Sequence, residues 1–205
     1  RSDGLADEPK IVSMGAYGAG VNFFTVKGWV EELLHALNTP KAKFVAERGN
    51  ASYHPGRCAK VYVGEEYIGV FGQIHPEVAR NYGVDAELYC AELSFDVLCS
   101  VKGGIPVYKP LPKFPSVTRD IAVVCSSDIT VGELTDCILA SGGQYLKDCT
   151  LFDVYTGHHI AEGMKSVAFS LTLRADDQTL TDDHAEETVR NVLSALREKY
   201  GAVIR

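Results

Sequence analysis

Between residues 112 and 205, the side chains that could do chemistry are few, and strand alternation sorts them. Lys165-Ser-Val-Ala-Phe-Ser-Leu171, continuing to Arg174, reads as a strand. Val167, Phe169, Leu171 and Leu173 make one of its faces, and Ser166, Ala168, Ser170, Thr172 and Arg174 make the other. In the strand Arg119–Cys125, Ile121 and Val123 turn inward while Asp120, Ala122 and Val124 turn outward. The segment Leu151-Phe-Asp-Val-Tyr-Thr-Gly157 alternates less cleanly. If Phe152 and Val154 point inward, then Leu151, Asp153 and Tyr155 point outward. The outward set then holds a ring (Tyr155), a carboxylate (Asp153), hydroxyls (Ser166, Ser170), small residues (Ala122, Ala168) and a cation (Arg174). Such a surface can stack a splayed base, accept hydrogen bonds from its amino groups and let its edge approach closely. A solvent-facing sheet with one strand tyrosine, or a face covered by another domain, fits the same pattern.

Other reactive residue types lack the company that chemistry requires. Gly15-Ala-Tyr-Gly-Ala-Gly20 has no Gly-Lys-Ser/Thr after it, and reads as a flexible loop rather than a phosphate cradle. His54 and Arg57 have neither a nucleophile nor a paired carboxylate nearby in sequence, and read as a buried turn or a vestige of an active site. His158-His159 lie on an extended segment with no third metal ligand in view. Asp176-Asp177 read as a turn and Asp182-Asp183 as the first turn of a helix, not as a magnesium site. No catalytic residue, cofactor site or metal site is expected in this chain.

The elements that position the outward set follow from periodicity and caps. Thr130 and Glu133 make a capping box for a helix through Leu139, which Gly142-Gly143 ends. Lys147–Tyr155 is the second strand and Lys165–Arg174 the third. Thr181 caps a second helix with a stripe of Ala185, Val189, Val192, Leu193, Leu196 and Tyr200, and Gly201 stops it. Ala202–Arg205 is left as a short fourth strand. The order β-α-β-β-α-β suits a sandwich with both crossover helices on one side of the sheet, leaving the other face bare.

Upstream the fold class is again α+β with antiparallel pairing. Val26, Trp29, Val30, Leu33, Leu34 and Leu37 repeat as one face of a helix that Asn38-Thr39-Pro40 stops. Ala59–Val63 and Tyr67–Gln73 flank Gly64-Glu65-Glu66 as a hairpin. A helix from Pro76 to Tyr82 ends at Gly83, and Ala86–Leu93 alternates as a strand. Pro106, Pro110, Pro112 and Pro115 crowd the stretch from Gly103 to Ser116, which cannot enter a sheet interior. Residues 105–111 are therefore expected to link a domain over 1–104 to one over 112–205.

The chain has 205 residues, 46% apolar and 23% charged, as in ordinary globular proteins, and opens on Arg, as a piece of something longer would. No apolar run approaches the ~20 residues that span a bilayer, and Arg1 to Lys10 has no signal-peptide core. The six cysteines (58, 90, 99, 125, 137 and 149) form no Cys-x-x-Cys pair and sit mostly among apolar neighbours. They read as reduced structural thiols of a cytoplasmic protein. Net charge is −7; residues 1–111 carry 11 basic against 13 acidic side chains, and 112–205 carry 9 against 14. Nonspecific DNA or RNA binding needs a basic footprint, and neither half has one. Any RNA role must rest on stacking and base edges. Two rival functions suit the same sandwich: a regulatory domain binding a small molecule, and an acyl-phosphate hydrolase. The acidic loop Ser126-Ser127-Asp128 lacks the glycines that the second would need.

Across 112–205 the chain resembles the ferredoxin-fold anticodon-binding domain of bacterial phenylalanyl-tRNA synthetase beta subunits. The resemblance rests on Arg119-Asp120, Phe152-Asp153-Val154-Tyr155-Thr156-Gly157, Lys165-Ser166-Val167-Ala168-Phe169 and Thr179 to Asp182, in that order. It implies a ferredoxin-like domain that reaches the anticodon loop of phenylalanine tRNA, with stacking by Tyr155 and contacts from Asp153, Ser166 and Ala122. Asn22 to Gly28, His54-Pro55-Gly56-Arg57 and Gly69 to Pro76 are similar to the latter half of that family's catalytic-like domain, a class II synthetase core without an active site. That likeness implies a truncated class II-like antiparallel α/β block and an alpha-subunit partner that binds ATP, Mg2+ and phenylalanine. Two alpha and two beta subunits would make the assembly.

Overall fold

The computed structural model describes residues 4, 6–108 and 110–205. The ends of two expectations, Arg1 to Asp3 with Leu5 in the first domain and Lys109 in the linker, lie outside the described residues. The chain divides into two compact units, 1–108 and 109–205.

The first unit runs β1 (Ile11–Tyr17), α1 (Phe23–Ala36), β2 (Ala42–Ala46), β3 (Tyr53–Val63), β4 (Glu66–Ile74), α2 (Pro76–Asn81), β5 (Leu88–Ser94) and α3 (Phe95–Val101). Its sheet has the order β1-β5-β4-β3-β2, with every neighbouring pair antiparallel. Asn22 caps α1 by accepting the amides of Phe24 and Thr25, and Asn38, in the left-handed region at φ 51°, follows its last turn. Val26, Val30 and Leu34 of α1 and Leu98 of α3 pack on Val61, Phe71, Ala91 and Leu93 of the sheet. Trp29, expected in that stripe, is 45% exposed. The i, i+4 ridge of Val26, Val30 and Leu34 fills the contact, and Trp29 falls on its flank. Gly15 belongs to β1, and only Gly18 and Gly20 make a turn. Gly69 lets β4 and β5 approach, since a Cβ there would lie 2.0 Å from the Glu92 carbonyl oxygen.

The second unit runs β6 (Val117–Ser126), α4 (Val131–Ser141), a 3-10 turn (Gly143–Tyr145), β7 (Leu146–Tyr155), β8 (Met164–Leu173), α5 (Asp182–Tyr200) and β9 (Val203–Ile204). The strand order β7-β8-β6-β9 is that of a ferredoxin-like β-α-β-β-α-β sandwich, the class expected from the sequence. Thr130 and Glu133 form the capping box of α4, and these bonds hold the Glu133 carboxyl below its usual range. Gly201, at φ 61°, ends α5 in a left-handed cap. Leu134, Cys137 and Ile138 of α4 and Ala185, Val192 and Leu196 of α5 bury Ile121, Val123, Val167, Phe169 and Leu171 beneath them. The helices therefore cover one sheet face and leave the other open.

Among the described residues no helix is long and apolar enough to cross a membrane. The cysteines form no disulfide, and burial pushes the Cys58 thiol up to about 11. Alkylation at neutral pH is expected to reach exposed Cys99 well before Cys58, which stays protonated and covered. Equal labelling by mass spectrometry would contradict that burial. Phe169→Ala, in the centre of the second core, is expected to cost about 3–5 kcal/mol in denaturant unfolding. A loss under about 1 kcal/mol would mean that the helices do not close on this face.

Candidate nucleic-acid interface

Cross-strand partners share a face, so the register of the second sheet sorts its side chains directly. On the side away from the helices, Tyr155, Ser166, Val124 and Val203 form one row across β7, β8, β6 and β9. Asp153, Ala168 and Ala122 form the next, and Arg205 completes it by donating its backbone N–H to the Ala122 carbonyl at 2.9 Å. Thr150, Ser170 and Asp120 form a third row, and Asp148, Thr172 and Thr118 a fourth. Successive rows lie about 7 Å apart along the strands.

The structure brings together Tyr155, Asp153, Ser166 and Ala122 in two adjacent rows, with Ser170 in the row behind. Arg174 stands apart from them. It follows β8 eight residues beyond Ser166, about 27 Å away in extended chain. There its Nε lies 3.7 Å from Asp176, and Lys147 donates to the same carboxylate at 2.7 Å. The Lys147 bond holds the Asp176 carboxyl below its usual range. Arg174 cannot reach a base that lies on Tyr155.

Simple alternation fails in β7, for a local reason. The register runs from Leu151 opposite Phe169 to Asp153 opposite Ala168, so Phe152 is an extra residue in a β-bulge. Leu151, expected outward, pairs with core Phe169 and belongs to the helix side. Val154 pairs with core Val167 and so shares the helix side, although it is 45% exposed. The bulge resets the phase and returns both Asp153 and Tyr155 to the open face.

The floor between these groups is low: Ser166 and Ala168 are 3% and 8% exposed. The Tyr155 ring bends back along its own chain, and a Cβ on Gly157 would lie 1.9 Å from the phenolic oxygen. The guanidinium carbon of Arg205 lies 5.5 Å from the ring centroid, a cation–π contact. Arg205 and Gly157 thus set the pose of the ring, and the sequence reading assigned neither to the site. Gly157 stood inside a noted block, and its spacing from Tyr155 was the available signal. Arg205 becomes a neighbour only through the β6–β9 ladder.

In the first unit Arg57 donates to Gln73 at 2.8 Å and to Glu87 at 3.0 Å, while the Tyr89 hydroxyl donates to Glu87 at 2.9 Å. His54 and Arg57, expected in a turn, lie in β3, where His54 Nδ1 accepts the Gly56 amide at 3.0 Å. These groups satisfy one another and tie strand ends together. The Arg57 guanidinium is directed to Gln73 and Glu87. No group of three His, Cys, Asp or Glu side chains able to hold a metal ion converges among the described residues. The Arg119–Asp182 pair at 2.7 Å joins β6 to the start of α5.

Residues 112–205 match the ferredoxin-fold anticodon binding domain, and residues 1–95 match the phenylalanyl tRNA synthetase beta chain CLM domain. The phenylalanine–tRNA ligase beta subunit of Clostridium tetani is 39% identical over 201 residues, which is 98% of this chain and 25% of that protein. The beta subunit of Bacillus subtilis is 42% identical over 185 residues, or 90% of this chain and 23% of that protein. The chain spans about a quarter of the length of the curated relatives it matches. With both units matched in order and the ferredoxin-like strand order observed, the chain belongs to the phenylalanyl-tRNA synthetase beta-subunit family.

Proposed function

We propose that the open face of the second unit reads unpaired bases in the anticodon loop of phenylalanine tRNA, for a ligase that charges this tRNA with phenylalanine. The observation that carries this reading is the pair of rows Tyr155–Ser166 and Asp153–Ala168–Ala122–Arg205. Tyr155 supplies a ring for stacking, and Asp153 accepts from a base amino group. Ser166 offers a hydroxyl that both donates and accepts, and Ala122 and Ala168 let a base edge come close. Arg205 leaves the ring to stack on the base or to meet a phosphate. Ser170 extends the polar floor behind, and Arg174 serves at most the flanking backbone.

Residues 105–111 link this domain to a first unit that packs against a catalytic alpha subunit, in an assembly of two alpha and two beta chains. ATP, Mg2+ and phenylalanine bind to that partner, where the chemistry occurs, and cysteines without disulfides suit a cytoplasmic enzyme. The names of the relatives, beta subunits of a phenylalanine–tRNA ligase, support the assignment. Pyrophosphate exchange is expected from the reassembled enzyme and not from this chain alone.

In the reassembled ligase, Tyr155→Ala is expected to lower kcat/KM for tRNA by the equivalent of about 1–3 kcal/mol, the usual cost of one lost stacked base. An unchanged kcat/KM would remove Tyr155 from the site. Gly157→Ala is expected to push the ring off its seat and move the Arg205 side-chain proton resonances, which the ring current now shifts. Identical spectra would show that Gly157 does not hold the ring. Asp120, Asp148 and Asp153 share the open face with Arg205, so phosphate contacts are few. The dependence of log K on log salt is expected to have a slope no steeper than about −1, near one single-strand phosphate contact. A slope several times steeper would place the RNA on another surface.

A further inference from the structure

Phe152 is left without a role by the core and by the base site described above. It is the extra residue of the β7 bulge and is 58% exposed, although it is among the largest apolar side chains of its unit. Leu151 and Val154, its neighbours along β7, are also 41% and 45% exposed, and a run of exposed apolar side chains, unlike a single one, marks a contact surface. The bulge places it. Phe152 and Asp153 together oppose Ala168, whose side chain lies on the open face next to the Tyr155 row. Phe152 is three residues from Tyr155, at most about 10 Å along the strand, close enough for neighbouring unstacked nucleotides of one RNA strand.

Resting on the reading above, we propose that Phe152 is a second stacking platform, taking the nucleotide adjacent to the one held on Tyr155. The chemistry of the face favours this occupant. Its aspartates repel phosphate, and Arg205 adds one cation, so affinity for a single strand must come from ring area. Every base has a π-face, and a ring beside a carboxylate suits a base whose amino group that carboxylate accepts. Between them the two rings flank Asp153 along β7, with Asp153 placed to receive the edge of either base.

The test uses the full 205-residue chain and an RNA hairpin carrying the anticodon stem and loop of phenylalanine tRNA. Phe152→Leu keeps an apolar side chain at an exposed position, and Phe152→Tyr keeps the ring. Phe152→Leu is expected to raise Kd by about 5- to 150-fold, the loss of one stacked base, and Phe152→Tyr by less than about twofold. A series of hairpins with one abasic loop position at a time assigns the nucleotides. Phe152→Leu should become silent at the position next to the one that silences Tyr155→Leu. If Tyr155→Leu weakens binding and Phe152→Leu does not, the second platform is refuted, and Phe152 belongs to a protein contact. If the same abasic position silences both changes, the two rings share one base and the proposal is wrong. If neither change alters Kd, or the unmodified chain does not bind the hairpin, the base-reading face itself fails.

Discussion

At Phe152 the pairing of β7 with β8 has one residue too many, and that misfit governs the open face. Were Phe152 paired as an ordinary strand residue, strict alternation after Leu151 would turn Asp153 and Tyr155 to the helix side, beside Val167 and Phe169. The helix-side positions of β7 are only partly covered, Leu151 being 41% and Val154 45% exposed, so the bulge decides chiefly which face the ring and the carboxylate present. The bulge keeps Leu151 and Val154 on the apolar side, and still delivers the ring and the carboxylate to the two rows that contain Ser166 and Ala122. Bulges also increase local twist and interrupt an edge, which makes β7 a poor template for another strand.

Once the groups are placed, the electrostatics of the face select its mode of binding. A surface with several aspartates and a single arginine gains little from the charge of an RNA backbone. On the proposed reading, discrimination comes instead from contacts that a wrong base would leave unmade, where the loss is largest. Small residues at 122 and 168 matter as much as the polar ones, because a larger side chain would raise the floor and hold a base away from Ser166 and Asp153. The helices contribute by rigidity. Phe169 and Leu171, fully buried, fix the strand whose alternate residues form the floor.

Much of this was legible in the sequence because β6 and β8 alternate without interruption. Ile121, Val123, Val167 and Phe169 announced the covered face, and Ala122, Ser166 and Ser170 the open one. The caps at Thr130, Thr181 and Gly201 marked both helices for equally local reasons. Leu151 was misplaced because a bulge leaves no mark in an apolar–polar pattern. Trp29 was misplaced because an amphipathic stripe is wider than the ridge that makes contact. β1 and β2 escaped notice, since edge strands that bury few side chains carry a weak signal. Arg174 and Arg205 show the limit most plainly. Parity grouped Arg174 with the open face but could not measure its distance from Tyr155, and only the closing ladder reveals that Arg205 lies within reach.

The ladder that holds Arg205 is two residues long, Val203 and Ile204 against Val124 and Val123, with one further backbone bond at Ala122. So short a strand sits at the low end of local unfolding free energies, well below the opening of the core beneath it. Its fraying would swing the guanidinium off the tyrosine while the rest of the sheet stays intact. Uncovering of the ring is then a cheap local event that leaves the core closed, and the last residues of the chain act as a detachable cover over one aromatic face.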